Sequence, residues 1–397
     1  MLVAHNEKGR MFSMNGVWAK DSLLGLRESE TFLCPSCKKT VLLRIGNHRI
    51  PHFAHVKKSD CDSFSEGESA YHLEGKVQLY EWLTHQGYSP ELEPYFKKVK
   101  QRPDLFVCNQ KYQYTIEFQC SALDSNRFKE RTENYILNGF SPLWILGGKR
   151  LKQTSNNRFT LSTFDWMFTK LINKKPSLLY YCPEIKKFLI LHEIVPLTSS
   201  TVIATLDIIS PHERSLTSLQ NQVSNMVYPI DAWLDMKKSW RLNCTQFPSH
   251  SMKKLLNFLY LKQIYPSLIP SEVGIPVPSM YWIQTSPMIW QSWILLEYIE
   301  TLPTYSQFSF QSVYHFIKMK KKSQLFFVKE LPLITNSHYS FAIMEYLDRL
   351  VDTGLLMYID KKTFQKMRNC QFPSQIEEAL LEDQRLLLML KEKKREM

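Results

Sequence analysis

The chain has 397 residues, a formal net charge of +12 and a pI near 9.1; that length implies two or three domains, and that charge favours a polyanionic partner through counterion release. Its 8 cysteines, two in a CxxC and six scattered, make no disulfide framework for a chain this long. No uninterrupted apolar run approaches the ~20 residues that span a bilayer, and Met1 to His5 lead into charged residues rather than a cleavable signal, so the expected location is the cytoplasm.

Residues 1–60 read as a small β region built on zinc. Cys34 and Cys37 enclose a Pro-Ser step, the tight knuckle that lets two thiolates reach one tetrahedral ion. His52 and His55 follow a hairpin expected at 40–45 and 48–52. CxxC…HxxH is near the spacing of a structural Zn²⁺ site, although its histidines stand closer together than in the commoner finger pattern. Cys61 is a replacement ligand for one of them. Without metal the stretch has few apolar residues to hold it folded.

Residues 61–150 follow the order helix, strand, strand, strand, helix, strand. Ser65-Glu66-Gly67-Glu68 has the spacing of a capping box, with Ser65 as N-cap. Leu73, Val77 and Tyr80, with Leu83 or Thr84 next, give a buried stripe up to the break at Gly87. Glu68, His72 and Lys76 recur every four residues on that helix and share one face. A strand is expected near 88–96, then a hairpin over 104–108 and 112–120. Asp124 to Asn138 reads as the second helix, with Arg127, Arg131 and Tyr135 at i, i+4 and i+8. Pro142 to Leu146 is a short buried strand closed by Gly147-Gly148.

The hairpin carries the chemistry. If Gln110-Lys111 is a two-residue loop, Asn109 pairs with Tyr112 and Asp104 falls directly opposite Glu117. Opposed residues have Cβ atoms roughly 5 Å apart. Like charges that close repel unless a cation sits between them or one is protonated, and Mg²⁺ takes one or two carboxylates plus waters and phosphate oxygens. The plain alternative is a solvent-facing strand that carries two acids.

This arrangement resembles the αβββαβ core of the PD-(D/E)XK nuclease superfamily. More narrowly it is similar to the competence protein CoiA family. The resemblance rests on Glu68-Ser69-x-x-His72-x-x-x-Lys76, Pro103-Asp104, Ile116-Glu117-Phe118-Gln119-Cys120-Ser121, Arg131-x-x-x-Tyr135 and Trp144-Ile145-Leu146-Gly147. It extends to Cys34-Pro35-x-Cys37 and His52-Phe53-Ala54-His55, and so covers residues 1–150. It implies a restriction-endonuclease-like fold, a role in natural transformation at the recombination step, and a Mg²⁺ or Mn²⁺ site. Asp104 and Glu117 would hold that metal and Glu68 would complete or orient its shell. The departure is Gln119, because superfamily nucleases usually carry a lysine there to position the attacking water and stabilise the developing charge. Lys76 on the facing helix is the substitute cation; Gln119, His72, Arg131 and Tyr135 would support the shell or touch phosphate.

The remainder gives a multidomain α/β (α+β) chain. Residues 151–210 read as a connecting hairpin and helix, with strands at 178–182 and 187–193. Residues 211–397 read as a helical domain whose Trp233, Trp240, Trp282, Trp290 and Trp293 are expected in its core. Helices are expected over 252–264, 287–299 and 310–318. Ser340 to Thr353, ending at Gly354 and followed by a strand and Asp360-Lys361-Lys362, is the closing half of a winged helix spanning 305–370, with Lys361 and Lys362 at a phosphate-touching wing. The segment 375–397 is a charged docking or oligomer helix. Two functions compete: a metal-dependent deoxyribonuclease, and a nuclease-fold accessory factor that helps a recombinase engage single-stranded DNA. A mobile-element or repair endonuclease is the outside alternative.

Overall fold

The computed structural model describes residues 1–16, 18–46, 48–56, 61, 68–109, 112–220, 230–246 and 248–393. The chain forms two compact units, one of Met1–Lys152, Ser177–Leu191 and Leu206–Gln222, the other of Gln153–Pro176, His192–Thr205 and Val223–Met397.

The first unit begins with β1 (Val3–Asn6), β2 (Met11–Ser13), α1 (Lys20–Ser29), β3 (Phe32–Leu33), β4 (Thr40–Arg44) and β5 (His52–His55). The strands make an antiparallel sheet in the order β2-β1-β3-β4-β5. In β4, Val41 and Leu43 are buried while Thr40, Leu42 and Arg44 face out, the alternation of a one-sided sheet. The second strand of the expected hairpin is shifted along the chain, to His52–His55.

Next come α2 (Ala70–His85), β6 (Glu91–Leu92), β7 (Leu105–Cys108), β8 (Gln113–Gln119), α3 (Ser125–Leu137) and β9 (Ser141–Gly147), the αβββαβ order. The strands lie in the order β6-β7-β8-β9, antiparallel from β6 to β8 and parallel between β8 and β9. On its other side β9 pairs in parallel with the strand Lys175–Cys182, Tyr180 opposite Leu146. Leu105 pairs with Ile116 and Cys108 with Gln113. The Asn109 N–H donates to the Tyr112 carbonyl at 2.9 Å. This register is the expected one and sets Asp104 opposite Glu117. Gln110 and Lys111 lie outside the described residues.

Helix α2 differs from expectation at its start. Ser65 lies outside the described residues, and the cap is Ser69, whose hydroxyl accepts from the His72 N–H at 3.2 Å. Glu68 therefore precedes the helix instead of lying on its face. The buried stripe is Leu73, Lys76, Leu79 and Leu83, with Gly75 and Trp82 beside it, while Val77 and Tyr80 are only partly covered. Gly75 allows close contact with the sheet, because a Cβ there would come within 2.1 Å of the Phe118 ring. Helix α3 starts where expected: the Asp124 carboxylate accepts from the N–H groups of Asn126 and Arg127 at 3.0 and 3.1 Å.

The second unit packs helices Ile230–Asn243, His250–Leu261, Pro287–Ser292, Phe310–Lys322, Ser340–Asp352 and Ile376–Lys393. Trp233, Trp290 and Trp293 are buried in its core with Leu255, Leu259 and Ile343; Trp240 and Trp282 are only partly covered and pack against it. The Asp383 carboxylate, itself buried, takes Lys237 at 2.7 Å and Arg241 at 2.8 Å, which pins the last helix to Ile230–Asn243. Strands Gln307–Ser309, Leu356–Asp360 and Thr363–Lys366 form a sheet with Thr363–Lys366 in the middle, and the helices Phe310–Lys322 and Ser340–Asp352 intervene in sequence. This is the strand-helix-helix-hairpin order of a winged helix. Lys361 and Lys362 are exposed at its turn.

Candidate nuclease site and metal centre

Asp104 sits just before β7 and is fixed by the neighbouring strand: its Oδ2 accepts the Phe118 N–H at 2.9 Å. The same oxygen lies 3.3 Å from His72 Nε2. Oδ1 faces Lys76 Nζ at 3.5 Å. Burial alone would raise the Asp104 carboxyl, but the Lys76 ammonium and His72 outweigh it and hold the carboxyl well below its ordinary value. Asp104 is therefore ionised at neutral pH and retains 15% side-chain exposure.

Glu117 lies opposite on β8 and is bound from α3. Its Oε1 accepts the Tyr135 hydroxyl at 2.6 Å and pairs with the Arg131 guanidinium. Arg131 and Tyr135, four residues apart, meet the same oxygen because they share a helix face. Burial raises the Glu117 carboxyl above its ordinary value despite Arg131, and Asp104 adds to the rise. The two opposed acids are thus tuned in opposite directions.

Lys76 is wholly enclosed behind Asp104. Its ammonium donates to Glu68 Oε1 at 2.7 Å and to Glu93 Oε1. Burial would strip its proton, yet Glu68, Glu93 and Asp104 together raise its pKa. Glu68 Oε2 faces the Met1 ammonium at 2.9 Å. Both Glu68 oxygens thus have cationic partners within the protein, and the carboxyl is held well below its ordinary value against the effect of burial.

Glu93 is the member that sequence reasoning missed. It is buried, has φ +51°, and accepts the Leu2 N–H at 2.9 Å as well as Lys76. Arg102, also buried, stands 4.0 Å from its other oxygen. Neither residue belongs to a periodic pattern; the Glu93-Pro94 step at the end of β6 is the only local sign. The Gln119 amide is engaged by the backbone, its Nε2 donating to the Ser121 carbonyl at 2.8 Å.

The divalent-metal fit is that of a two-carboxylate site. Asp104 and Glu117 offer hard oxygens from opposed positions, enough for Mg²⁺ or Mn²⁺ when waters and phosphate complete the shell. Among the described residues, Glu68, Asp104 and Glu117 do not converge on one point as a three-ligand cage.

One atom each from Cys34, Cys37, His55 and Cys61 does converge, all within 4.8 Å of one another. Cys34 Sγ and Cys61 Sγ are 4.0 Å apart, and Cys37 Sγ lies 3.3 Å from His55 Nε2. Tetrahedral Zn²⁺ with bonds of about 2.3 Å to sulfur needs sulfurs roughly 3.8 Å apart, so the set can hold structural zinc. The knuckle closes through the Lys38 N–H, which donates to the Cys34 carbonyl at 3.0 Å, with Lys38 at φ +59°. Burial raises the Cys34 thiol, but the backbone N–H of Cys37 and the Arg102 charge outweigh it and lower the pKa, which favours the ligating thiolate.

His52 is not in this group, contrary to expectation, and Cys61 takes its place. His52 and His55 lie on one strand three residues apart, so their side chains leave opposite faces. The His52 ring instead bonds the Ile50 carbonyl at 2.9 Å through Nδ1.

Comparison with known proteins follows this division. Residues 16–64 match the N-terminal domain of competence protein CoiA, 68–224 its nuclease-like domain and 228–380 its C-terminal domain. The chain is also 30% identical over 350 residues to the competence protein CoiA of Bacillus subtilis (strain 168), covering 86% of this chain and 92% of that one. The αβββαβ core, the Cys/His group and three consecutive domain matches together place this chain in the competence protein CoiA family.

Proposed function

We propose that the chain processes DNA at the recombination step of natural transformation, in the cytoplasm, by metal-dependent phosphodiester hydrolysis at Asp104 and Glu117. The observation that supports this most is their direct opposition across β7 and β8, with Asp104 held ionised by Lys76 and His72. Bound Mg²⁺ or Mn²⁺ would supply Lewis acidity and an activated water. The chain's own residues orient the acids: Phe118 N–H and His72 fix Asp104, and Arg131 and Tyr135 fix Glu117. Lys76 is a positioning residue, since its enclosed ammonium bonds carboxylates and has no path to a water. Glu68 acts through Lys76 rather than on the metal. Arg131 and His72, with 19% and 20% side-chain exposure, would be the groups to meet a phosphate.

A second reading has its own support. Lys76 is enclosed and Gln119 is turned to Ser121, so no exposed lysine faces the acids from either position. On that reading the domain holds DNA without cutting it and helps a recombinase engage single strands. Incubating the purified chain with linear, single-stranded and branched DNA in Mn²⁺ separates the two. Cleavage that Asp104→Asn abolishes supports hydrolysis; cleavage untouched by Asp104→Asn, or none on any substrate, rejects it. The Gln119→Lys variant, which places an ammonium at the usual position, should raise a measurable rate.

A further inference from the structure

Between Asp235 and Glu272 the chain has six Lys or Arg and no acidic residue. Lys237 and Arg241 are consumed by Asp383. Of the others, Lys253, Lys254 and Lys262 are exposed on or next to the helix His250–Leu261.

That helix has two opposite faces. Met252, Leu255 and Leu259 enter the core. At 100° per residue, Lys253, Lys254, Asn257, Tyr260 and Leu261 fall together on the other side. Tyr260 is 81% exposed, Leu261 72%, and Tyr265, just past the helix, 72%. Beside them is a groove of about 510 Å³ lined by Lys262, Tyr265, Leu268, Leu296, Thr301 and Phe372. Glu300 also lines it, but its carboxylate accepts the Cys370 N–H at 3.1 Å and lies 3.6 Å from Lys366. Among the described residues, the side chains of Lys253, Lys254, Tyr260, Lys262 and Tyr265 make no hydrogen bond or ion pair within the protein.

We propose that this face binds single-stranded nucleic acid, with bases stacking on Tyr260 and Tyr265 and phosphates meeting Lys253, Lys254 and Lys262. Exposed aromatic rings among lysines, with Glu300, the one acid lining the groove, already engaged by the Cys370 N–H and Lys366, are the two components of a sequence-tolerant single-strand site. A paired duplex hides its base faces and offers these rings nothing to stack on. A membrane surface fits less well, since Leu261 is the one exposed aliphatic side chain on the helix. The site belongs to the second unit, and the proposal does not depend on the Asp104 and Glu117 acids cutting DNA.

The test uses the full chain carrying Asp104→Ala, without added divalent metal or chelator, so cleavage and zinc loss play no part. Fluorescein-labelled (dT)12 is titrated by anisotropy at several KCl concentrations. Stacking of this kind is worth about 5- to 150-fold per base, so Tyr260→Ala with Tyr265→Ala should weaken binding at least tenfold. The Tyr→Phe pair should keep it. Changing Lys253, Lys254 and Lys262 to Gln should lower the slope of log affinity against log salt by roughly 2. Wild-type affinity and slope in both sets would overturn the proposal. An equal loss for a 12-base-pair duplex would also overturn it, as would a loss seen only with phosphatidylglycerol vesicles.

Discussion

Lys76 Nζ lies 3.5 Å from Asp104 Oδ1, yet Lys76 is wholly buried while the Asp104 side chain keeps 15% of its surface open to solvent. One cation therefore sets the charge state of an acid at the mouth of the site without itself reaching the mouth. The same ammonium satisfies Glu68 and Glu93, so three carboxylates depend on it.

Replacing Lys76 by Met should accordingly destabilise the first unit by about 3–5 kcal/mol, the usual consequence of removing one partner from a buried ion network. Denaturant midpoints measure it. A loss below ~1 kcal/mol would show that the three acids find other partners. Lys76→Arg should recover only part of the loss, since a forked guanidinium does not fit a point-charge cage.

Stability should fall with acid. The folded pKa values of Asp104 and Glu68 lie below their ordinary values of 3.8 and 4.5. Their contribution is thus fully present above those values and is lost as pH falls through the folded values. Urea midpoints taken from neutral pH to about pH 3 should drop for the wild type, and drop less for Glu68→Gln, which has already lost its share. Parallel curves would refute the assignment.

Gly75→Ala would ordinarily stabilise a helix by about 1 kcal/mol. Here the added methyl would meet the Phe118 ring at 2.1 Å, so a net loss of roughly 1–3 kcal/mol is expected from overpacking. Thermal unfolding decides the sign.

Zinc content distinguishes the ligand sets. Cys61→Ser should lower bound zinc well below one per chain, whereas His52→Gln should leave it near one. The reverse result would restore the two-histidine set. Removing the metal with a chelator should unfold the N-terminal sheet first, because the set ties the knuckle before β4 to the end of β5.

Much of the site was legible because it is local. The period of two in a strand and a two-residue loop are enough to bring Asp104 opposite Glu117, and four-residue spacing is enough to bring Arg131 and Tyr135 to one oxygen. The same period, applied to His52 and His55, argues against both binding one ion once the strand is known to run from His52 to His55. What misled was the strand boundary: the expected hairpin ended at His52 and left His55 free to turn. Helix α2 starts four residues later than expected, because its N-cap is Ser69, whose hydroxyl accepts the His72 N–H.

The sequence by itself determined the αβββαβ order, the opposition of the two acids and the knuckle cysteines, all of which follow from short-range backbone geometry. Only the tertiary structure decided that Glu93 pairs with Lys76, that Arg102 and the Met1 amine stand against the Glu93 and Glu68 carboxylates, and that Cys61 replaces His52. Glu93, Arg102 and Met1 lie in segments that no periodicity ties to Lys76, and the choice between Cys61 and a second histidine depends on which side chain the fold brings to the cysteines. The low-dielectric interior requires every buried charge to find a partner, wherever in the sequence that partner lies.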